Sequence, residues 1–201
     1  MSARLLALVC LLQFGLCPGW SEPVIPPDRE LVVYLRAGAF RNSPSLPHML
    51  LEVSTLLRAA GYHVDWRLAG EASAEADDAT LVVVELRGAC QAADPAAQID
   101  PVSEGAILAS TAVADGHILP FSWVHCETLT QLLGHSINGP QQDHWYGRAI
   151  GRLIAHELYH ILADDQQHAS SGVAKPTFSA RDLLAEHFEF EYATLANLRP
   201  R

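Results

Sequence analysis

The residues best suited to chemistry form the segment HELYH, in which Glu157 directly follows His156 and a second histidine, His160, lies four positions after the first. On an α-helix, residues four apart project in nearly the same direction, so both imidazoles can reach one zinc ion. A glutamate beside the first ligand can hold a metal-bound water and accept its proton. The segment therefore predicts a zinc site that activates water, with His156 and His160 as ligands and Glu157 as the general base.

A third zinc ligand is expected, because catalytic zinc sites commonly have three protein ligands and keep one position for water. His168 is the first candidate, since the polar stretch 164–167 can end a helix and turn the chain back towards the metal. The competing candidates are three glutamates that lie 26 to 31 residues beyond His160, on a predicted later helix. Their spacing does not choose among them: they are Glu186, Glu189 and Glu191.

The helix that would present these histidines is predicted from Gln141 to Ala163, after the chain break at Asn138-Gly139-Pro140. Four apolar residues fall between about 120° and 200° around the helix axis when His156 is placed at 0°. We expect this stripe to face the core and the two histidines to face a cleft. The stripe consists of Ile150, Ile154, Leu158 and Ile161.

The rest of the chain predicts a mixed sheet with covering helices. Apolar and β-branched runs predict the strands, with 80–87 at the centre of the sheet. Asp115-Gly116 predicts a tight hairpin, Ser45 can begin the first helix, and Ser179 with Asp182 predicts a capping box for the last one. This order indicates a single α+β domain. The predicted strands are 31–37, 63–68, 80–87, 106–114 and 117–125, and the predicted helices are 45–60, 141–163 and 179–197.

The HExxH segment and the elements before it resemble the zincin metallopeptidases, in which a mixed sheet with an edge strand precedes the zinc-binding helix. The resemblance implies a fold of that kind, zinc as the metal, and hydrolysis of a peptide or protein substrate. It also implies that 106–114 is the edge strand along which an extended peptide pairs. A tyrosine or histidine near the metal would stabilise the oxyanion; the candidates are Tyr159, His187 and Tyr192.

A third histidine soon after the helix is similar to the metzincin arrangement, and this likeness makes His168 the expected ligand. Two features depart from the metzincin pattern HExxHxxGxxH. Ala163 occupies the glycine position, with His168 two residues later than the pattern places it, and no methionine follows Met49 to form a Met-turn. A gluzincin-like site would instead take one of the three glutamates. We therefore expect a divergent, metzincin-like zincin.

The net charge of the chain indicates which kinds of macromolecule or membrane it is unsuited to bind. The chain of 201 residues carries 13 Lys and Arg against 23 Asp and Glu, which gives a formal net charge of −10. Nucleic acids and anionic membranes are bound through clustered cations. The balance of charge therefore argues against both of them as partners.

Residues 1–21 have the layout of a secretory signal peptide, with Arg4 ahead of an apolar run from Leu5 to Cys17. This run is shorter than the roughly 18–20 residues that span a bilayer. We expect a secreted or periplasmic protein with residues 22–201 as one domain and no membrane association after cleavage; an uncleaved anchor is the alternative. Export would leave Cys90 and Cys126, which favours a disulfide between them over two separate thiols.

Together these features predict an exported zinc-dependent peptidase, and strand-like peptide binding suggests an endopeptidase. A second hypothesis is a non-catalytic extracytoplasmic zinc-binding or interaction module with a zincin-like fold. A third is an exported protein that binds no metal because its HExxH segment is accidental. Glu157 favours catalysis, since a purely structural zinc site has no need of a glutamate beside its first ligand.

Overall fold

The computed structural model describes residues 29–68, 80–94, 96, 98–103 and 105–198, so the proposed signal peptide, 1–21, lies outside the described residues. The described part combines a five-stranded mixed sheet with several helices, which confirms the α+β class. The strands are β1 (Arg29–Arg36), β2 (Tyr62–Leu68), β3 (Thr80–Arg87), β4 (Ala109–Ala114) and β5 (His117–His125). The helices are α1 (Leu46–Ala59), α2 (Cys126–Leu133), α3 (Gln142–Ala163), α4 (Ala180–Leu183) and α5 (Tyr192–Leu198), with 3₁₀ turns at Gly38–Asn42, Gly134–Ser136 and Gly139–Gln141.

The sheet has the strand order β2-β1-β3-β5-β4. The first four strands in this order are parallel, and β4 pairs antiparallel with β5 at one edge. The central position of β3 and the edge position of β4 are therefore as predicted. Asp115 and Gly116 close the β4–β5 hairpin with φ values of 51° and 80°, the backbone that a type I′ turn requires.

Helix α3 is the central helix of the fold, and it contacts β4, β5, α1, α4 and α5. The predicted apolar stripe does face the core, since Ile150, Ile154 and Leu158 are fully buried. The opposite face is covered as well, so that almost every residue from Tyr146 to His160 is buried. His156 and His160 are buried too, at 7% exposure each, but both line a cleft, as expected. Other elements surround the helix, and the cleft reaches it at Leu153, His156, Glu157 and His160.

Helices α1 and α3 pack with their backbones in close contact. A Cβ atom added to Gly147 would lie 2.2 Å from the carbonyl oxygen of Ser45, and one added to Gly151 would lie 2.9 Å from that of Met49. Only glycine allows this approach at both positions. The Ser45 hydroxyl, expected to cap α1, instead donates a hydrogen bond to Asp143 of α3 at 3.0 Å.

A fully buried arginine links α3 to two other parts of the chain. The Nε of Arg152 donates to the Glu52 carboxylate on α1 at 2.7 Å. Its Nη1 donates to the carbonyl oxygens of Asp182 and Leu183 at 3.1 and 3.0 Å. The guanidinium carbon also lies 4.5 Å from the ring centre of Phe188. Arg152 therefore holds the C-terminal segment against the central helix.

The predicted last helix, 179–197, is wrong as a continuous element. Its start is correct, because Ser179 and Asp182 form the predicted capping box. However, α4 ends at Leu183 and α5 begins only at Tyr192. A continuing helix would need the Asp182 and Leu183 carbonyls as acceptors for amides four residues later. The helical hydrogen-bond pattern ends there, and Arg152 is a donor to both carbonyls at this point.

A disulfide joins Cys90 and Cys126, as predicted, with a Cα–Cα distance of 4.8 Å. It ties the loop after β3 to the first residue of α2, a helix that the sequence did not predict. Buried residues at Cys126, Leu129 and Leu133 form the apolar face of this helix. Within the described residues, no helix is both long and apolar enough to cross a bilayer.

Candidate metal centre

Three histidines converge at the C-terminal end of α3. The possible ligand nitrogens of His156, His160 and His168 all lie within 4.8 Å of one another. The ring of His168 stacks on that of His156 with an interplanar angle of 14°, and it meets the ring of His160 at 80°. The two helical histidines are buried, whereas His168 is exposed. The structure thus groups the three residues that the sequence selects as ligands.

Backbone carbonyls fix the orientation of both helical histidines. The Nδ1 of His156 lies 2.8 Å from the carbonyl oxygen of Val173, and the Nδ1 of His160 lies 2.6 Å from that of Asp165. A carbonyl oxygen only accepts hydrogen bonds, so each Nδ1 is the donor and carries the proton. Each Nε2 is then left with a free lone pair. Contacts of this kind orient metal-binding histidines in many proteins.

The free lone pairs of these histidines face each other, with 3.2 Å between the two Nε2 atoms. Neither Nε2 carries a hydrogen in this tautomer, so no hydrogen bond accounts for the contact. Two ligands at about 2.0–2.1 Å from a tetrahedral zinc ion are about 3.3 Å apart. The donor set and its spacing therefore fit a bound metal ion.

The chain reverses direction after α3 at a residue that is not glycine. Asp164 adopts φ 48° and ψ 45°, in the left-handed region, and its amide donates to the carbonyl oxygen of His160. The carboxylate of Asp165 then accepts a hydrogen bond from the amide of Gln167 at 2.8 Å. Asp tolerates this backbone conformation better than most residues. The turn brings His168 back to the end of the helix.

The alternative third ligands lie elsewhere. Glu191 accepts hydrogen bonds from the hydroxyls of Ser170 and Ser171. Glu189 and Glu191 line a separate cavity together with His187 and Tyr192, whereas Glu186 is exposed. Among the described residues, the group with metal-ligand spacing contains the three histidines and none of the glutamates. The predicted helix that would have aligned the glutamates is interrupted between α4 and α5.

The proposed oxyanion donors are also not placed in the cleft at the histidines. Tyr192 is 81% exposed and, like His187, lines the separate cavity. Tyr159 is buried, with its ring 6.3 Å from that of Phe190. Among the described residues, none of the three candidates lines the part of the cleft that contains Glu157.

Glu157 lies beside the histidines, almost completely buried at 4% exposure. Its carboxylate oxygen Oε2 accepts a hydrogen bond of 2.7 Å from the hydroxyl of Thr111, on the edge strand β4. Burial raises the pKa of Glu157 to about 7, although the Thr111 hydrogen bond opposes the shift. Sequence patterns gave no indication of Thr111, since nothing local to the edge strand shows which helix residue it faces.

Desolvation keeps His156 and His168 in the neutral form that binds metals. It lowers the pKa of His156 to about 4, and repulsion from His160 and His168 acts in the same direction. Although His168 is exposed overall, partial desolvation of its ring lowers its pKa, and His160 acts in the same direction. Metal ligation requires neutral imidazole. These two imidazoles are therefore ready to bind a metal ion at neutral pH.

An open cleft runs along β4 and past the histidines. One part has a volume of about 410 Å³, and a second part has a volume of about 240 Å³. His156, Glu157, Ala109 and Pro176 line both parts, whereas His160 and His168 line the smaller part, so the histidine site lies in the smaller part where it adjoins the larger one. The larger part has a mostly apolar lining that includes Val102, Ile107, Leu108, Leu132, Leu153 and Phe178.

The raised pKa of Glu157 predicts how the stability of the metal-free protein depends on pH. The pKa is about 7 in the folded protein against 4.5 as the ordinary value, so the folded state holds this proton more tightly than the unfolded state. The resulting stabilisation is present below pH 4.5 and is lost as the pH rises to 7. At pH 8 in the presence of a chelator, we expect Glu157→Gln to raise the free energy of unfolding by about 1–3 kcal/mol.

Urea denaturation at pH 8 and at pH 4 would check this expectation. The difference between the two proteins should nearly disappear at pH 4, where the native glutamate is protonated. A benefit of the substitution that is equal at both pH values would contradict the expectation.

The three histidines, Glu157 and the cleft beside them form the candidate functional site. Comparison of the sequence with protein-family models and with curated proteins finds no match. The histidine group, Glu157 and the cleft therefore carry the functional conclusion.

Proposed function

We propose that this chain is an exported zinc-dependent peptidase of the zincin type, similar to the metzincins but divergent from them. The observation that carries the proposal is the pair of Nε2 lone pairs of His156 and His160, 3.2 Å apart, with His168 beside them. A glutamate with a raised pKa lies on the same helix and faces the same cleft. A structural zinc site would need neither the cleft nor the glutamate.

In this proposal His156, His160 and His168 hold the zinc ion. When bound, zinc would lower the pKa of a water molecule and polarise the carbonyl group of a substrate. The carbonyl oxygens of Val173 and Asp165 keep the two helical histidines in the tautomer that presents Nε2. The residues of this chain thus supply three imidazoles, two of them oriented by backbone carbonyls, and three protein ligands would leave the fourth position of a tetrahedral site for water.

Glu157 is the general base in this proposal. Its carboxylate accepts a proton from the attacking water and can pass it to the leaving amine. A carboxylate with a pKa near 7 is suited to both transfers, because neither protonation state is strongly favoured at neutral pH. Burial of the side chain provides this property.

The substrate is an extended polypeptide that adds to the free edge of β4. Within the described sheet β4 pairs only with β5, so its second edge can form backbone hydrogen bonds with a peptide. The cleft continues from the histidines into the larger part, and a substrate that extends through both parts would be cleaved within its chain. The apolar lining of the larger part favours an apolar side chain next to the scissile bond.

Export is part of the proposal. A disulfide such as Cys90–Cys126 persists in oxidising compartments and is rare in the cytosol. Together with the signal-like pattern of residues 1–21, it supports a secreted or periplasmic enzyme.

Zinc content is the measurement that tests the metal centre first. The chain from residue 22 onward, purified without added metal, should contain about one zinc ion per chain by elemental analysis. We expect His168→Ala to lose most of this zinc and to bind added zinc more weakly. His187→Ala is the matched control, because it removes a histidine from the separate cavity and should keep the zinc.

The outcomes separate the parts of the proposal. Equal zinc content and affinity in the native protein and His168→Ala would mean that His168 is not the third ligand. A native protein that binds no zinc would contradict the peptidase proposal and the zinc-module hypothesis together.

A further inference from the structure

Thr111 makes a contact that the proposed reaction does not yet explain. Its hydroxyl lies 2.7 Å from Oε2 of Glu157 and 3.3 Å from the carbonyl oxygen of the same residue. The shorter contact has the geometry of a strong hydrogen bond to a carboxylate. Within the described residues, it is the only hydrogen bond found for this carboxylate. One edge-strand side chain therefore fixes the direction of the Glu157 carboxylate.

The local structure of the hairpin places Thr111 for this contact. Thr111 pairs with Ser122, and the register between the two strands shifts before the next pair, Val113 with Ile118. The irregular stretch of β5 contains Pro120, which has no amide hydrogen to donate to a neighbouring strand. Irregularities of this kind change the direction of nearby side chains. Thr111 belongs to the last regular pair before the irregularity, so its side chain keeps the direction of the regular strand and points towards α3.

We propose that Thr111 is the positioning residue for Glu157, and this inference rests on the proposed peptidase function. The hydroxyl holds Oε2, which leaves the second carboxylate oxygen to accept the proton of the attacking water. A carboxylate without this donor could rotate about its side-chain bonds and lose its alignment with the water. Orientation of a reacting group to within about 1 Å affects rates strongly.

The position of Thr111 gives this contact a second consequence. The proposed substrate pairs with the backbone of β4, the strand that carries Thr111. The same strand then sets the register of the peptide and the direction of the general base. A peptide bound on β4 would thus present its scissile bond at a fixed distance from Glu157.

Three variants test this role. Thr111→Val keeps the shape of the side chain but removes the donor, and Thr111→Ser keeps the donor. Thr130→Val is the matched control, since the Thr130 hydroxyl bonds the carbonyl oxygen of Cys126 at 2.9 Å on α2, outside the cleft. Each protein would be loaded with zinc and assayed on one quenched fluorescent peptide, selected from a random library by cleavage with the native protein.

We expect Thr111→Val to lower kcat by about 10–100-fold, the range found for residues that orient groups at metal sites, with KM changed much less. Thr111→Ser should retain kcat within about threefold, and Thr130→Val should behave like the native protein. In the Glu157→Gln background, Thr111→Val should cause no further loss, because the residue acts through Glu157.

A structural readout complements the assay. In crystals of the zinc-free proteins, the Glu157 carboxylate should contact residue 111 in the native protein and in Thr111→Ser, and should rotate away in Thr111→Val. An unchanged kcat and an unchanged carboxylate in Thr111→Val would overturn the role of Thr111 alone. Failure of the native protein to cleave any library peptide would overturn the proposed function itself, and the role of Thr111 with it.

Discussion

Replacement of Glu157 by glutamine is expected to lower kcat by about 10²–10⁴-fold while the protein keeps its zinc ion. Glutamine has nearly the same shape, and its side-chain oxygen can still accept the hydrogen bond from Thr111. A glutamine side chain cannot accept a proton from water, so the decrease in kcat measures the contribution of general-base catalysis. The ligand nitrogens of the three histidines are left unchanged. Initial rates on the selected peptide at pH 7.5, with zinc content measured on the same samples, would check the expectation.

Glu191→Gln is the matched control for this experiment. It makes the same chemical change in a carboxylate that is bonded to Ser170 and Ser171, away from the cleft. It should retain both zinc and activity. Native activity in Glu157→Gln would refute the assignment of the base. A zinc-loaded native protein that cleaves nothing would instead favour the non-catalytic module.

Substitution of Arg152 should have the largest effect on stability. Arg152→Met removes the donor to Glu52 and to the carbonyls of Asp182 and Leu183, at a site where the arginine side chain is 1% exposed. Buried polar groups that lose their partners are costly. Removal of one partner from a buried ion pair typically costs about 3–5 kcal/mol; here Glu52 keeps Arg148, but the carbonyls of Asp182 and Leu183 lose their bond to Arg152 at the same time. We expect a decrease of that size in the free energy of unfolding of the zinc-loaded protein, measured in urea.

Arg148→Met provides the comparison, because Arg148 binds the same carboxylate at 3.0 Å but is more exposed. Its loss should cost no more than about 1 kcal/mol, as is usual for ion pairs near the surface. Similar decreases in the free energy of unfolding for the two variants would show that the burial of Arg152 does not determine its contribution to stability. The zinc affinity of Arg152→Met should also fall, since the C-terminal segment carries the Val173 carbonyl that orients His156.

The elements that could be predicted from the sequence are those specified by local patterns. The five strands, the Asp115-Gly116 turn and the extent of α3 follow from apolar runs, turn residues and spacing, and the predicted bounds lie within a few residues of the structure. The capping box at Ser179 is equally local. Local signals also identified His156, Glu157 and His160 as one group, because the helix alone places them together.

The features that could not be predicted depend on distant contacts. At the end of α4 the carbonyls of Asp182 and Leu183 are bonded by Arg152, 30 residues earlier, and no local pattern near Leu183 predicts where this helix stops. The all-round burial of α3 depends on how the sheet and the C-terminal segment fold around it. The choice of His168 over the glutamates depends on the turn at Asp164. The contact of Thr111 with Glu157 joins residues 46 positions apart.

The close contact of Gly147 and Gly151 with α1 restricts movement of α3, the helix that forms one side of the cleft. A sliding or rolling motion of α3 would drive its backbone into the carbonyls of Ser45 and Met49. His156 and Glu157 follow within two turns of Gly151 on the same helix, so the close contact with α1 restricts their displacement as well. If the proposed peptidase function holds, entry of a peptide and departure of its fragments would have to be accommodated by the cleft walls at 105–108 and 176–178. Substitutions in these walls can change which peptides are admitted while the reacting groups stay in place.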